Sequence, residues 1–98
     1  MDQLAILALL EAKAGKEQEL EAFLKSAQPL AVAEPGTTTW YAVKLGPGRF
    51  GIFDTFPDDA GRKAHLSGEI AKALFAKADE LLAKPAQIEM LEIMASKA

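Results

Sequence analysis

The sequence contains no cysteine and no asparagine, and it has only one histidine, one tryptophan and one tyrosine. Without cysteine, the chain has no disulfides, no thiolate nucleophile and no cysteine-ligated metal, so packing alone must hold the fold together. A reducing compartment suits such a chain. We therefore expect a cytoplasmic protein.

A long hydrophobic run and a strong excess of one charge are also missing. The longest apolar stretch, residues 4–10, falls well short of the roughly 20 residues of a membrane-spanning helix, and Asp2 stands where an export signal would carry positive charge. The net charge is −3, from 14 acidic and 11 basic residues scattered along the chain. We expect a soluble protein that binds neither nucleic acid nor membrane.

Half of the 98 residues are hydrophobic, which is typical of a folded protein with one core, so we expect a single domain over residues 1–98. Hydrophobic periodicity predicts strands over residues 3–12, 37–45, 49–56 and 88–94. It also predicts an amphipathic helix after Gly15 and a second helical region after Pro57, with Asp58 and Asp59 at its entrance and an interruption at residues 67–69. The order β-α-β-β-α-β predicts a ferredoxin-like α+β fold, with two helices on one face of a four-stranded antiparallel sheet.

Two helices can cover only one face of this sheet. The first and last predicted strands are nevertheless apolar in both of their alternating sets, and an apolar surface of that size on a soluble protein is an association site. The pattern therefore predicts a homodimer that forms through the sheet face.

The segment Gly46-Pro47-Gly48 predicts a β-hairpin turn. If these three residues form the whole loop, Trp40 lies opposite Asp54 and Tyr41 opposite Phe53, whereas one more loop residue would shift every pair. Residues 46–51 also match the dinucleotide pattern G-x-G-x-x-G, but strand residues follow where the motif needs a helix. One histidine is a poor basis for a metal site. We predict neither a cofactor nor a bound metal.

His65 is the candidate catalytic residue, because it is the only side chain with an unperturbed pKa near neutrality. Its position early in the second helical region directs it toward the space between helices and sheet. The alternative is a packing or capping role, which is the commoner one for a lone histidine.

The hairpin concentrates the aromatic residues. Trp40, Tyr41 and Phe53 are candidate walls of a pocket for a flat small molecule, or else parts of the core and the dimer interface. Asp54 is a further candidate for substrate binding, because a carboxylate in an apolar strand needs a partner. Candidate partners are Trp40, Tyr41, Arg49 and the second subunit.

Three segments resemble the antibiotic biosynthesis monooxygenase domain family, and the resemblance spans nearly the whole chain. They are Glu34-Pro35-Gly36, the strand Phe50-Gly51-Ile52-Phe53-Asp54-Thr55-Phe56, and Asp58-Asp59-Ala60 leading to Ala64-His65-Leu66-Ser67. The resemblance implies a dimeric α/β barrel with two sheets back to back and a pocket between sheet and helices in each subunit.

The same resemblance implies a function. Family members include enzymes that oxidise hydroxylated aromatics or quinols with O2 and no cofactor, after a base has deprotonated the substrate. His65 matches the family's helical histidine and would be that base or would bind the substrate hydroxyl. Haem degradation is disfavoured, because the haem-degrading members share an asparagine that this chain lacks. The alternative is a non-catalytic small-molecule-binding or stress-related dimer.

Overall fold

The apolar alternation and the turn residues produce a four-stranded antiparallel sheet with helices on one face. The computed structural model describes residues 2–97. Its strands are β1 (Leu4–Glu11), β2 (Thr39–Gly46), β3 (Arg49–Phe56) and β4 (Gln87–Glu92), in the sheet order β2-β3-β1-β4. Its helices are α1 (Glu17–Ser26), α2 (Gln28–Val32), α3 (Asp59–Leu66) and α4 (Glu69–Leu81). The predicted ferredoxin-like α+β fold is confirmed.

The core lies between the helices and the two central strands, β1 and β3. Because alternate strand residues point to opposite faces, one set from each central strand meets the helices. The buried cluster consists of Ala8, Leu10, Ala12, Leu20, Leu24, Phe50, Ile52, Leu74, Leu81 and Leu82. This layer packs α1 and α4 on the sheet, while α3, which carries the histidine, contacts β1, β3 and α4.

The hairpin register is the predicted one. Trp40 pairs with Asp54, and Tyr41 pairs with Phe53. The turn is tighter than the predicted three residues, because Gly46 already pairs with Arg49. A bulge between Lys44 and Gly46 takes up the extra residue and so preserves the register.

The helical regions differ from the prediction in one respect. A separate short helix, α2, follows the predicted amphipathic helix, and Pro29 lies in its first turn, where its missing N–H is not needed. The predicted break between α3 and α4 is present. Asp58 caps α3, since its Oδ1 accepts a hydrogen bond of 2.8 Å from the Gly61 N–H.

The face of the sheet turned away from the helices carries apolar side chains. We call it the open face. Its apolar members include Leu7, Leu9, Tyr41, Val43, Phe53 and Leu91, as the strand registers place them. The exposed fraction is 56% for Tyr41 and 44% for Val43.

β4 ends at Glu92, short of the predicted Met94. Within residues 2–97, no helix is long and apolar enough to cross a membrane.

Candidate functional site

His65 lies between two carboxylates on the helix-covered side of the sheet. Its Nδ1 is 2.6 Å from Oε1 of Glu34, and its Nε2 is 2.8 Å from Oδ2 of Asp54. The Asp54 oxygen lies off the N–H direction, so that contact is a close ion pair and not a straight hydrogen bond. The ring of Phe56 packs against the imidazole with a centroid distance of 5.4 Å. Asp54 and His65 are two of the three buried polar or charged residues in the described part of the chain, and the partly buried Glu34 completes the arrangement Glu34–His65–Asp54.

Each member of this arrangement comes from a different element. Asp54 projects from the middle of β3 and is 1% exposed, and His65 projects from α3 and is 8% exposed. Glu34 lies in the loop between α2 and β2. Gly36 and Gly61 hold that loop directly against α3, since a Cβ built on Gly36 would lie 2.8 Å from the Gly61 Cα. Backbone contact between two glycines therefore brings Glu34 to His65.

The two carboxylates keep His65 protonated. Burial by itself lowers the pKa of His65, because it disfavours the charged imidazolium. Contact with Asp54, and then with Glu34, outweighs this effect and raises the pKa from 6.5 to about 9. At pH 7 the ring therefore carries a positive charge, and both of its nitrogens are donors.

Glu34 connects His65 to a surface pocket. Its Oε1 accepts hydrogen bonds from His65 and from the Thr37 hydroxyl, the latter at 2.7 Å. The pocket has a volume of about 310 Å³ and is lined by Leu30, Ala33, Glu34, Pro35, Gly36, Thr37, Gly61, Ala64, His65, Gly68 and Glu69. A ligand in this pocket would meet apolar walls together with four polar side chains, which are Glu34, Thr37, His65 and Glu69.

The remaining predicted site residues do not all come together. Trp40 shares the helix-covered side with Asp54, but within residues 2–97 its buried indole N–H has no hydrogen-bond partner. Tyr41 and Phe53 pair with each other on the open face, because they are one residue out of phase with Trp40 and Asp54. The sheet separates them from His65 within the chain.

Two contacts of the site were missing from the sequence-based prediction. The partner of Asp54 is His65, and not Trp40, Tyr41 or Arg49. Glu34 belongs to one of the three segments that resemble the monooxygenase family, but the sequence predicted no chemical role for it. The sequence did contain a signal for the contact between Asp54 and His65. It has a carboxylate on a central apolar strand and a lone histidine on the helix that covers this strand.

Comparison with solved structures identifies proteins that share this fold. A proposed antibiotic biosynthesis monooxygenase from Caulobacter crescentus matches with a TM-score of 0.80 and 21% identity, over 96% of this chain and 92% of that one. Another from Nitrosomonas europaea matches with a TM-score of 0.85 and 12% identity, over 98% and 94% of the two chains. The chain has the fold of these proteins, so the predicted resemblance is confirmed at the level of fold.

A more similar solved structure is a protein of unknown function from Nitrosomonas europaea. It is 55% identical to this chain and has a TM-score of 0.98, over 100% of this chain and 95% of that one. The chain belongs to the family of that protein. No family model matches the chain, and no curated protein matches it.

Proposed function

We propose that this protein is a cofactor-independent monooxygenase that oxidises a hydroxylated aromatic or quinol-type small molecule. One observation carries the proposal: a charged, buried histidine lies between two carboxylates at the side of an apolar pocket of about 310 Å³. Clustered titratable groups with a strongly shifted pKa, in a cleft, are typical of catalytic sites. The shared fold of the two proposed monooxygenases supports the same reaction class.

The charges of the site suggest separate roles for His65 and Glu34, the two members of the arrangement that line the pocket. A base must be unprotonated at working pH, and the pKa of His65 near 9 means that the ring holds its proton at pH 7. His65 then acts as a fixed positive charge that stabilises the anion of the substrate once Glu34 has taken up the proton and lost its own charge. Glu34, which lines the pocket, accepts the hydroxyl proton of the substrate. Asp54 lies behind the imidazole and is a positioning residue.

The reaction needs no electron donor besides the substrate. Once the hydroxyl proton has moved to Glu34, the electron-rich phenolate reacts with O2. One oxygen atom becomes a new ring carbonyl, and the other leaves as water with the two hydrogens that the substrate loses. The product is a quinone. The substrate supplies all the electrons that reduce O2.

Trp40 has a less direct place in this proposal. It lines a neighbouring cavity of about 300 Å³, which shares Thr37 with the pocket beside His65. Tyr41 and Phe53 lie on the open face, and so they would contact a substrate only at a site distinct from His65.

Oxygen uptake tests the proposed activity. With a panel of quinols and hydroxylated naphthalenes, the wild-type protein is expected to consume O2 with at least one compound. His65→Gln keeps a polar side chain but removes the positive charge, and it should lower kcat/KM by roughly 100-fold, the scale of one lost proton-transfer or electrostatic group. Glu34→Gln should lower it to a similar extent. An oxygen electrode and product analysis by mass spectrometry provide the measurement.

Glu80→Gln is the matched control, since Glu80 is an exposed acid of α4 outside the pocket. It should leave the rate unchanged. Uptake by the wild type that never exceeds that of folded His65→Gln, across the whole panel, would rule out the proposed activity.

One observation favours a second function, non-catalytic binding of a small molecule. Both ring nitrogens of His65 are already occupied by carboxylates, and this arrangement would also serve to rigidify a binding pocket. Ligand binding without any oxygen uptake would support this alternative.

We further propose that two copies associate through the open face. Tyr41 and Val43 expose about half of their surfaces there, beside other apolar side chains of all four strands. A contiguous apolar patch of this kind is typical of a protein interface, and a closed dimer is the commonest way to cover it.

Light scattering tests this association. At micromolar concentration we expect a dimer for the wild type. Val43→Glu places a charge among the apolar side chains of the open face, on the edge strand β2, and should raise the dissociation constant at least ~100-fold. Val32→Glu is the control, because Val32 lies on α2 and is 74% exposed, and it should remain dimeric. A wild-type monomer, or a dimer that tolerates Val43→Glu, would disprove the proposed interface.

A further inference from the structure

We propose that the pocket beside His65 selects neutral hydroxylated aromatics of one or two rings over their anionic analogues, and that Glu34 imposes this selection. The inference rests on the proposed function, because it names the substrate class of the same site. It concerns binding, however, and can be tested without turnover.

The charges around the pocket exclude an anionic ligand. The residues that line it include Glu34 and Glu69, and none of them is a lysine or an arginine. Asp54 adds a third carboxylate directly behind His65. His65 supplies the one positive charge of the lining, and that charge is contacted by carboxylates on both ring nitrogens. An incoming anion therefore meets a net negative field.

On α4, Lys72 lies 3.9 Å from Glu69 and offsets part of its charge, so Glu34 and Asp54 supply the negative field that remains. The cationic side chains of α3 do not offset this field, because they are directed elsewhere. Arg62 donates a hydrogen bond of 3.1 Å to the backbone carbonyl of Leu91 in β4. Lys63 forms an ion pair of 3.0 Å with Asp59. Both contacts lie away from the residues that line the pocket.

The hydrogen-bonding capacity of Glu34 favours a ligand that donates a proton. Its Oε1 already accepts from His65 and Thr37, and Oε2 is left for a ligand, since no residue within the described range 2–97 donates to it. A carboxylate can only accept. A phenolic hydroxyl therefore gains a charge-assisted hydrogen bond at this position, whereas a carboxylate or sulfonate placed there is repelled.

The size and walls of the pocket set the remaining limits. About 310 Å³ is near the lower end of the range of ligand sites, which suits one or two aromatic rings. The apolar side chains of the lining include Leu30, Ala33 and Ala64. Such walls bind a flat ring system by burial of apolar surface.

Calorimetry under anaerobic conditions at pH 7 provides the test, with 1-naphthol as the neutral probe and 1-naphthoate as its anionic counterpart. The wild type is expected to bind 1-naphthol at least about tenfold more tightly, because an uncompensated like charge within a few ångströms costs at least that factor. Glu34→Gln keeps the shape of the side chain and removes its charge. It should reduce the preference to about threefold or less, while Glu80→Gln should preserve it.

Three results would overturn the inference: equal or tighter binding of 1-naphthoate, an unchanged preference in Glu34→Gln, or binding of neither probe by the wild type. If Glu34→Gln fails to fold, Glu69→Gln tests the same field and should reduce the preference to a smaller extent. The NMR signal of His65, the only histidine, should shift with 1-naphthol and locates the bound probe. Binding is measured without O2 and is therefore independent of turnover. A protein that binds the probes as expected here, but consumes no O2 in the oxygen-uptake assay, contradicts only the proposed activity.

Discussion

Between pH 6.5 and pH 9 the protein is expected to lose about 3 kcal/mol of unfolding free energy through the titration of His65. The pKa of this ring is 6.5 in a solvated chain and about 9 in the folded protein, and each pKa unit corresponds to about 1.4 kcal/mol. The effect would be a large fraction of the stability of a small domain, which is typically about 5–15 kcal/mol.

The direction follows from the raised pKa. Below pH 6.5 the imidazole carries its proton in both the folded and the unfolded chain, so the stabilisation by Asp54 and Glu34 is fully present. Above pH 6.5 the unfolded chain releases the proton while the folded protein retains it, and stability falls as pH rises. The contribution is lost once the pH has passed through about 9.

Urea denaturation across this pH range measures the effect, and an NMR titration of the single histidine gives its pKa directly. Asp54→Asn removes the more deeply buried of the two charges that contact His65 but keeps the shape of the side chain. The pKa of His65 should then fall, because burial continues to oppose the charged ring while only Glu34 supports it. The loss of stability over this range should shrink accordingly.

Glu80→Gln again serves as the control and should reproduce the wild-type pH profile. A wild-type histidine that titrates at or below 6.5, or a stability that is flat from pH 6.5 to 9, would contradict the structural account of the site. The comparison with Asp54→Asn separates the effect of His65 from that of groups elsewhere in the chain.

Local signals were sufficient to predict the fold. Pro47 and Gly48 mark the hairpin turn, the period-two pattern on either side sets its register, and Asp58 before a helical stretch marks a cap. Each of these signals lies within a few residues of the feature that it produces. The separate helix α2 escaped prediction, because Pro29 is compatible with both the end of one helix and the first turn of another.

The site was less predictable, because its contacts join distant parts of the chain. Glu34 and His65 are 31 residues apart, and nothing in the local sequence relates the loop of one to the helix of the other. Tyr41 and Phe53 show the opposite problem. Their neighbours Trp40 and Asp54 face the helices, and alternation therefore places these two aromatics on the other side of the sheet. The position of each residue in the alternation of its strand determines which face of the sheet it occupies. Its aromatic character does not.

Substitution of Gly61 by alanine should destabilise the protein by about 3 kcal/mol, although alanine is the better helix former by about 1 kcal/mol. A Cβ on Gly61 would lie 2.5 Å from the backbone oxygen of Gly36, a separation that forces the loop away from α3. Overpacking of this kind typically costs about 1–3 kcal/mol, and more when backbone must move. Urea denaturation at pH 7 provides the measurement.

The displaced loop carries Glu34, so the effect should extend to the site. In Gly61→Ala the distance between Glu34 and His65 increases, and the pKa of His65 should fall below its wild-type value of about 9. Gly46→Ala is the matched control, because nothing lies within 4 Å of a Cβ at Gly46 and its φ is not positive. It should change stability by no more than about 0.5 kcal/mol. Equal stability of the two variants would show that the contact between Gly36 and Gly61 does not hold the site together.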